Sequence, residues 1–388
     1  MESAIIISIC LLLLLAYVFD LSSSLTKIPS VILLLLLGYL TRLTADFFKI
    51  SIPDLNPLLP VFGTIGLILI VLEGSLELEI NSSKIRVIRK SIVNALVPIF
   101  ALTFLMAWAF QYFESISFKT AVINAIPFCV ISSAIAIPSV QNLSADKKEF
   151  VIYESSMSDI FGVLLFNYII LHDVVNAYTL GHFGLQLVLI IIISFISVLG
   201  LSFLLSRIKH HVTFAPIILL VILIYSVSKI FHLPGLIFIL VFGLFLGNLE
   251  ELKNYHWIEA FHPEKLDKEV KKFKDITIEA TFIVRALFFI LFGFLMDFKD
   301  IINLETLPFA VMAILAILLI RFVVLKLTGY STIPLLFVAP RGLITILLYL
   351  AIPVNNGISF ANKSLVIQVI ILSILIMMFG LMKKEDVK

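Results

Sequence analysis

The chain has 388 residues, 61% of them hydrophobic and only 14% charged, with a formal net charge of +2. That composition lies far outside the range of soluble globular domains, and many uncharged runs approach the ~20 residues needed to cross a bilayer. The net charge says nothing about nucleic acid, because the basic residues are accounted for by loop topology, and no nucleic-acid partner is expected; nor is a disulfide or metal framework, because Cys10 and Cys129 both sit inside apolar runs as packing residues.

The first run follows an acidic start, Met1-Glu2-Ser3-Ala4, with no small-residue cleavage site after it, so it is read as a retained helix. Apolar runs between polar or Pro/Gly punctuation predict thirteen spans: 3–21, 28–45, 57–78, 91–113, 119–142, 149–171, 183–206, 213–231, 234–248, 277–296, 304–327, 332–352 and 362–382. Sorted by loop, 19 of the 28 Lys and Arg fall on the side of the C-terminus and six on the other. Basic loops stay in the cytoplasm, which predicts a cytoplasmic C-terminus and an outside N-terminus. The longest polar stretch, Glu250 to Asp275, becomes a basic cytoplasmic loop that marks topology, with contact to anionic lipid left open. No soluble regulatory domain is expected. Thirteen spans divide as six, one and six: a first repeat over residues 1–171, a linker helix over 183–206 and a second, inverted repeat over 213–382. The 34 phenylalanines are read as packing and lipid-facing residues.

Three acids and three arginines remain inside spans: Glu73, Glu154 and Asp159 against Arg285, Arg321 and Arg341. A central charge costs roughly 2.5–3.5 kcal/mol on insertion scales, so each needs a use. At about 1.5 Å per residue, Glu154, Glu73 and Arg321 share one level, while Asp159 lies nearer the midplane. Within Glu154-Ser155-Ser156-Met157-Ser158-Asp159, Ser155 and Asp159 stack at i and i+4, but Glu154 lies about 140° round the helix from Asp159. The expectation is a structural ion pair between Glu154 and Arg321. Asp159 is then left without a permanent counter-ion, able to alternate between a proton and a monovalent metal cation.

Two spans carry interruptions, Ile131-Ser132-Ser133-Ala134-Ile135-Ala136-Ile137-Pro138 and Phe337-Val338-Ala339-Pro340-Arg341-Gly342-Leu343. They are the fifth spans of the two proposed halves. Broken helices in matching positions point to a transport site, since freed carbonyls can coordinate a cation. Ser132, Ser133 and backbone oxygens of Ala134 to Ala136 are therefore candidate ligands beside Asp159, with Pro138 and Arg341 marking the crossing.

These stretches resemble the cation:proton antiporter superfamily, in the branch of sodium/proton exchangers. Glu-Ser-x-x-Ser-Asp is similar to its Gly-Glu-Ser-Leu-x-Asn-Asp signature. Leu72-Glu73-Gly74-Ser75-Leu76, Pro234-Gly235 through Gly247-Asn248, Phe288-Phe289-Ile290-Leu291-Phe292-Gly293 and Pro340-Arg341-Gly342 resemble its third, ninth, tenth and twelfth spans. The resemblance implies an all-α membrane protein of about 13 transmembrane helices in two inverted six-helix repeats, a homodimer in the cell membrane serving pH homeostasis by alternating access. It carries over Asp159 as the ion- and proton-binding acid, Ser155 as an ion-site hydroxyl, Glu73 as an accessory acid, and Glu154 with Arg321 as core scaffold. No cofactor is implied. Ser158 stands where the family has Asn, and Ala136-Ile137-Pro138 where it has Thr-Asp-Pro. That crossing looks closer to the potassium-efflux branch, which leaves Na⁺, Li⁺ and K⁺ open.

The leading expectation is a secondary cation/proton antiporter, electroneutral if Asp159 alone exchanges. A K⁺/H⁺ antiporter, a cation channel and an intramembrane enzyme stand beside it. Against an enzyme, His172, His182, His210, His211, His232, His256 and His262 all lie in loops or at span ends. Glu73 is read either as a ligand or as a vestibule acid, and Arg341 either as offsetting helix C-terminal dipoles or as a carboxylate partner. Glu77, Glu79 and Glu279 belong to the cytoplasmic edge, and Arg285 has no assigned role.

Overall fold

Long runs of Leu, Ile, Val and Phe leave the backbone no water to bond with, and the helix, which satisfies its own N–H and C=O groups, is the solution such runs adopt. In a computed structural model the chain is all helical, with no strand among the described residues, which are 2–26, 28–50, 52–78, 84–172, 177–207, 214–231, 233, 235–249 and 263–382. The helices are α1 (Glu2–Thr26), α2 (Ser30–Phe47), α3 (Leu58–Glu77), α4 (Ile85–Phe113), α5 (Phe118–Cys129), α6 (Ser133–Ser139), α7 (Ala145–Leu171) and α8 (Ala177–Arg207). They continue as α9 (Phe214–Ile230), α10 (Gly235–Gly247), α11 (Pro263–Leu295), α12 (Phe298–Ile301), α13 (Leu307–Thr328), α14 (Leu343–Leu350) and α15 (Lys363–Met382). Among the described residues ten helical stretches, with α5 and α6 taken as one, are long and apolar enough to cross a membrane, and α9 and α10 are shorter apolar helices.

Each predicted span overlaps helix, several ends shift by a few residues, and two spans depart further. The span expected from 277 belongs to a helix that begins at Pro263, because its charged first half is amphipathic. Val270 and Phe273 are buried three residues apart on one face, while Glu269 and Lys272 pair at 2.8 Å on the solvent side. The stretch Glu250 to Asp275 is thus a loop in expectation and helix from Pro263 onward; its residues 250–262 lie outside the described residues, as do Glu79, His210, His211, His232, His256, His262 and the tail from Lys383. The span 332–352 is helical only in α14, and the segment 330–342 before it is irregular.

The chain divides into two compact units, a division different from the two expected repeats, since each unit draws on both. The first comprises Met1–Thr64, Lys90–Phe166 and Ile283–Lys388. Within it α2 and α11 touch backbone to backbone: a Cβ on Gly38 would stand 2.0 Å from the Ile290 carbonyl oxygen, and one on Gly293 2.2 Å from that of Leu35. Arg42 ties the ends of the same two helices, bonding the Met296 carbonyl at 2.8 Å and the Asp297 carboxylate at 2.7 Å. Helix α13 stops at Gly329, whose φ of 72° is the left-handed cap. Tyr330 then donates its amide back to the Leu325 carbonyl.

The second unit comprises Ile65–Arg89 and Asn167–Phe282. There α3 meets α10 closely, and a Cβ on Gly243 would fall 1.8 Å from the Ser75 hydroxyl oxygen. Asn248 fastens the helix ends by donating to the carbonyls of Leu78 and Leu244.

Candidate functional site

The site is built where the two interrupted spans of the first unit cross. Helix α5 ends at Cys129 and α6 starts at Ser133, so the interruption is Val130 to Ser132, a stretch with neither proline nor glycine. What opens the helix is tertiary. The Ile131 amide donates to the Ser158 hydroxyl on α7 at 2.9 Å, and the Ser132 amide to the Pro340 carbonyl of the other interrupted span at 2.9 Å. Both N–H groups therefore have partners outside their own helix, which a buried backbone requires. The break falls at the start of the stretch Ile131 to Pro138 expected to hold it; Pro138 itself lies in the last turn of the seven-residue α6, at the far end of that half-helix.

The crossing is tight. A Cβ on Gly342 would lie 2.3 Å from Ile135 Cδ1 and 3.2 Å from the Ser132 hydroxyl, so a larger residue there would require the Ile135 side chain to shift. The same holds for Gly162 of α7 against Val130, at 2.2 Å.

Asp159 faces the start of α6. Its Oδ2 accepts the Ser133 amide at 3.3 Å and the Ser133 hydroxyl as a second, shorter hydrogen bond. Its Oδ1 is buried and has no hydrogen-bond partner among the described residues, and no Lys, Arg or His among them makes an ion pair with the group. The residue is 2% exposed. A carboxylate held at one oxygen by neutral donors and open at the other is chemically suited to take a proton or a small cation at the open oxygen. Ser132, also named as a candidate ligand, is buried in the crossing beside Gly342. Ser155 is buried one turn before Asp159, but its hydroxyl hydrogen goes to the Val151 carbonyl at 2.7 Å, leaving only oxygen lone pairs to offer.

Five residues before Asp159, Glu154 meets Arg321 of α13 in a two-pronged pair, Nη1 to Oε1 at 2.7 Å and Nη2 to Oε2 at 2.8 Å, with both residues buried. Arg321 Nε also donates to the Leu335 carbonyl at 2.7 Å, tying the pair to the irregular segment. Arg341 is equally buried and makes no ion pair among the described residues. Its guanidinium bonds the Phe128 carbonyl at 2.7 Å, that of Ala339 at 2.9 Å and that of Cys129 at 3.4 Å. Phe128 and Cys129 end α5, so the cation sits on that helix's negative end.

Glu73 is half-buried and belongs to the second unit, whereas all the residues above belong to the first. Arg285, without a role in the sequence, lies 3.8 Å from Asp20, which also accepts from the Ser30 hydroxyl at 3.0 Å. Asp20 was missed because it falls at the edge of the first predicted span, where an acid reads as solvated. Ser158 was missed as a site residue because a serine inside an apolar helix carries no signal of its own; only its place next to Asp159 hinted at it. Glu77 pairs with Lys274 at 3.7 Å.

A family model described as sodium/hydrogen exchanger, transmembrane, matches residues 10–384. The solved structure of the sodium proton antiporter MjNhaP1 from Methanocaldococcus jannaschii at pH 8 matches with a TM-score of 0.70 and 20% identity, over 98% of this chain and 97% of that one. An electron-microscopy structure of the same antiporter matches with a TM-score of 0.70 and 19% identity, over 98% of this chain and 95% of that one. No curated protein matches the chain by sequence. At these identities the structural likeness is one of fold. The match of the family model over nearly the whole length carries the assignment: this chain belongs to the transmembrane sodium/hydrogen exchanger family.

Proposed function

We propose that the protein exchanges sodium ions for protons across the membrane, with Asp159 as the single carboxylate that binds each in turn. The observation that carries this reading is the asymmetry of that carboxylate, buried, without a cationic partner among the described residues, bonded at Oδ2 and open at Oδ1. Loading is competitive: a proton on Asp159 leaves no charge for Na⁺, and Na⁺ displaces the proton. One cation then replaces one proton, and exchange is electroneutral.

Ser133 is the nearest companion of the exchanging acid, and Ser132 and Ser155 supply further oxygens around it. Glu154 and Arg321 act as scaffold, a neutral pair that keeps α7 and α13 in register beside the crossing. Glu73 serves as an accessory acid for the cation. Alternating access moves Asp159 between the two sides in a homodimer. The N-terminus is outside and the C-terminus in the cytoplasm of the cell membrane, supported by the 19-to-6 division of basic residues. The inverted repeats are supported by the matching interruptions of the fifth and twelfth spans.

The test is a pH-dye assay in proteoliposomes, titrated separately with Na⁺, Li⁺ and K⁺. The wild type should dequench with Na⁺, and Asp159→Asn should not. Exchange surviving in Asp159→Asn overturns the assignment; a response to K⁺ alone moves the protein to potassium exchange; a membrane potential generated by exchange overturns electroneutrality.

A further inference from the structure

Behind the crossing, within the first unit, a small cavity is lined by Ser158, Cys129, Arg321, Arg341, Ala95 and Ala339, among others. Its polar walls are rich in donors. A guanidinium carries five N–H groups. Arg321 places three of them on Leu335 and Glu154. Arg341 places three on the carbonyls of Phe128, Ala339 and Cys129. Each therefore has N–H capacity left over, and the Ser158 hydroxyl, whose oxygen accepts the Ile131 amide, has no acceptor for its own hydrogen among the described residues. All three residues are buried, where an unmade donor is costly. The missing partner is an acceptor.

Size decides which acceptor. The cavity has room for about one water-sized sphere, and the methyl groups of Ala95 and Ala339 are what leave that room. A halide is larger, and Arg321 already has its carboxylate. We propose that this cavity is a binding site for a single water molecule, whose oxygen accepts from Ser158 and from the Arg341 guanidinium. Its hydrogens return to the Ala339 and Cys129 carbonyls, each of which has a second lone pair. The water ties the residue that precedes Asp159 in α7 to the arginine that holds the crossing, so α7 and both interruptions are joined through one buried oxygen. The inference stands on hydrogen-bond accounting in the core and does not rest on which ion is exchanged.

The test is a high-resolution structure of the full chain in lipid nanodiscs, prepared in parallel in sodium chloride and sodium bromide. One peak is expected at about 2.7–3.2 Å from both Ser158 Oγ and an Arg341 nitrogen, identical in the two salts. A peak that strengthens in bromide makes the site an anion site and overturns the proposal, as does the absence of any peak. Ser158→Ala in the same experiment should lose the peak; a water that stays in place there shows that it does not bridge Ser158. Ala95→Val, which fills the cavity from α4 without touching a polar group, should also expel it, and retention of the peak overturns the size argument.

Discussion

Ser133 gives both its amide and its hydroxyl to one oxygen of Asp159, while the other oxygen of that carboxylate is buried without a hydrogen bond among the described residues. A hydrogen bond to a charged group contributes about 1.5–3 kcal/mol. Ser133→Ala removes the hydroxyl bond and leaves the amide bond. The KM for Na⁺ is expected to rise about tenfold to a hundredfold at fixed pH, with the protein still folded, as read by the dye assay alongside a thermal melt. Ser155→Ala, whose hydroxyl hydrogen is spent on its own helix, should change KM less. Equal effects of the two substitutions would remove Ser133 from its special place.

Competition at one carboxylate has a pH signature. Below the pH at which Asp159 gives up its proton, more protons mean fewer sites open to Na⁺, so exchange falls as pH falls. Raising Na⁺ tenfold should carry that acidic limb about one pH unit lower, because occupancy depends on the ratio of the two ions. Initial rates measured at several Na⁺ concentrations across pH check this. An acidic limb that ignores Na⁺ would place the titrating group elsewhere.

The Glu154 and Arg321 pair invites a double-mutant cycle. Removing one partner strands a buried charge, so Glu154→Gln or Arg321→Gln alone should destabilise by about 3–5 kcal/mol. The double variant Glu154→Gln with Arg321→Gln should recover much of that loss, since no lone charge remains. Thermal midpoints of the four proteins give the coupling. A scaffold role further requires that the double variant keep a KM for Na⁺ close to wild type; a large rise would make Glu154 part of the ion site.

At the crossing, Arg341→Lys conserves charge but loses the fork that reaches carbonyls on both interrupted spans. Lower stability and lower maximal exchange are expected, measured by melting and by the dye assay. A lysine variant with wild-type values in both would show that charge alone suffices there.

Helices α2 and α11 offer a test of packing without chemistry. A methyl at Gly38 or Gly293 meets a backbone carbonyl oxygen, which no side-chain rotation can move aside. Gly38→Ala and Gly293→Ala should each cost about 1–3 kcal/mol, seen as a lower thermal midpoint. Gly184→Ala, inside α8 with no atom from outside its own stretch of helix within 4 Å of the added methyl, is the control expected to leave the midpoint unchanged or raise it slightly, since alanine favours helix over glycine.

Much of this was legible before any coordinates. Spans follow from apolar runs because the bilayer core sets their length, and charges inside them stand out because they are costly there. Counting residues placed Glu154 and Arg321 at one level, and helical phase turned Glu154 away from Asp159; the structure joins the first two in an ion pair and gives Asp159 different partners. Proline and glycine pointed to the right two spans. They did not locate the first break, which lies at Val130 to Ser132 because Ser158 and Pro340 accept amides that the helix would otherwise use.

The sequence by itself determined that this is a polytopic membrane protein, where its helices run, and which acid stands apart, because hydropathy, helical rise and the cost of a charge in lipid act locally along the chain. Only the tertiary structure decided which serine bonds Asp159, where the first interruption opens, that Arg341 rests on carbonyls, and that Asp20 stands within 4 Å of Arg285. Those partners come from segments tens to hundreds of residues away in sequence. A hydrogen bond reaches about 3 Å, and no local pattern carries the information about which distant atom folding will bring within that distance.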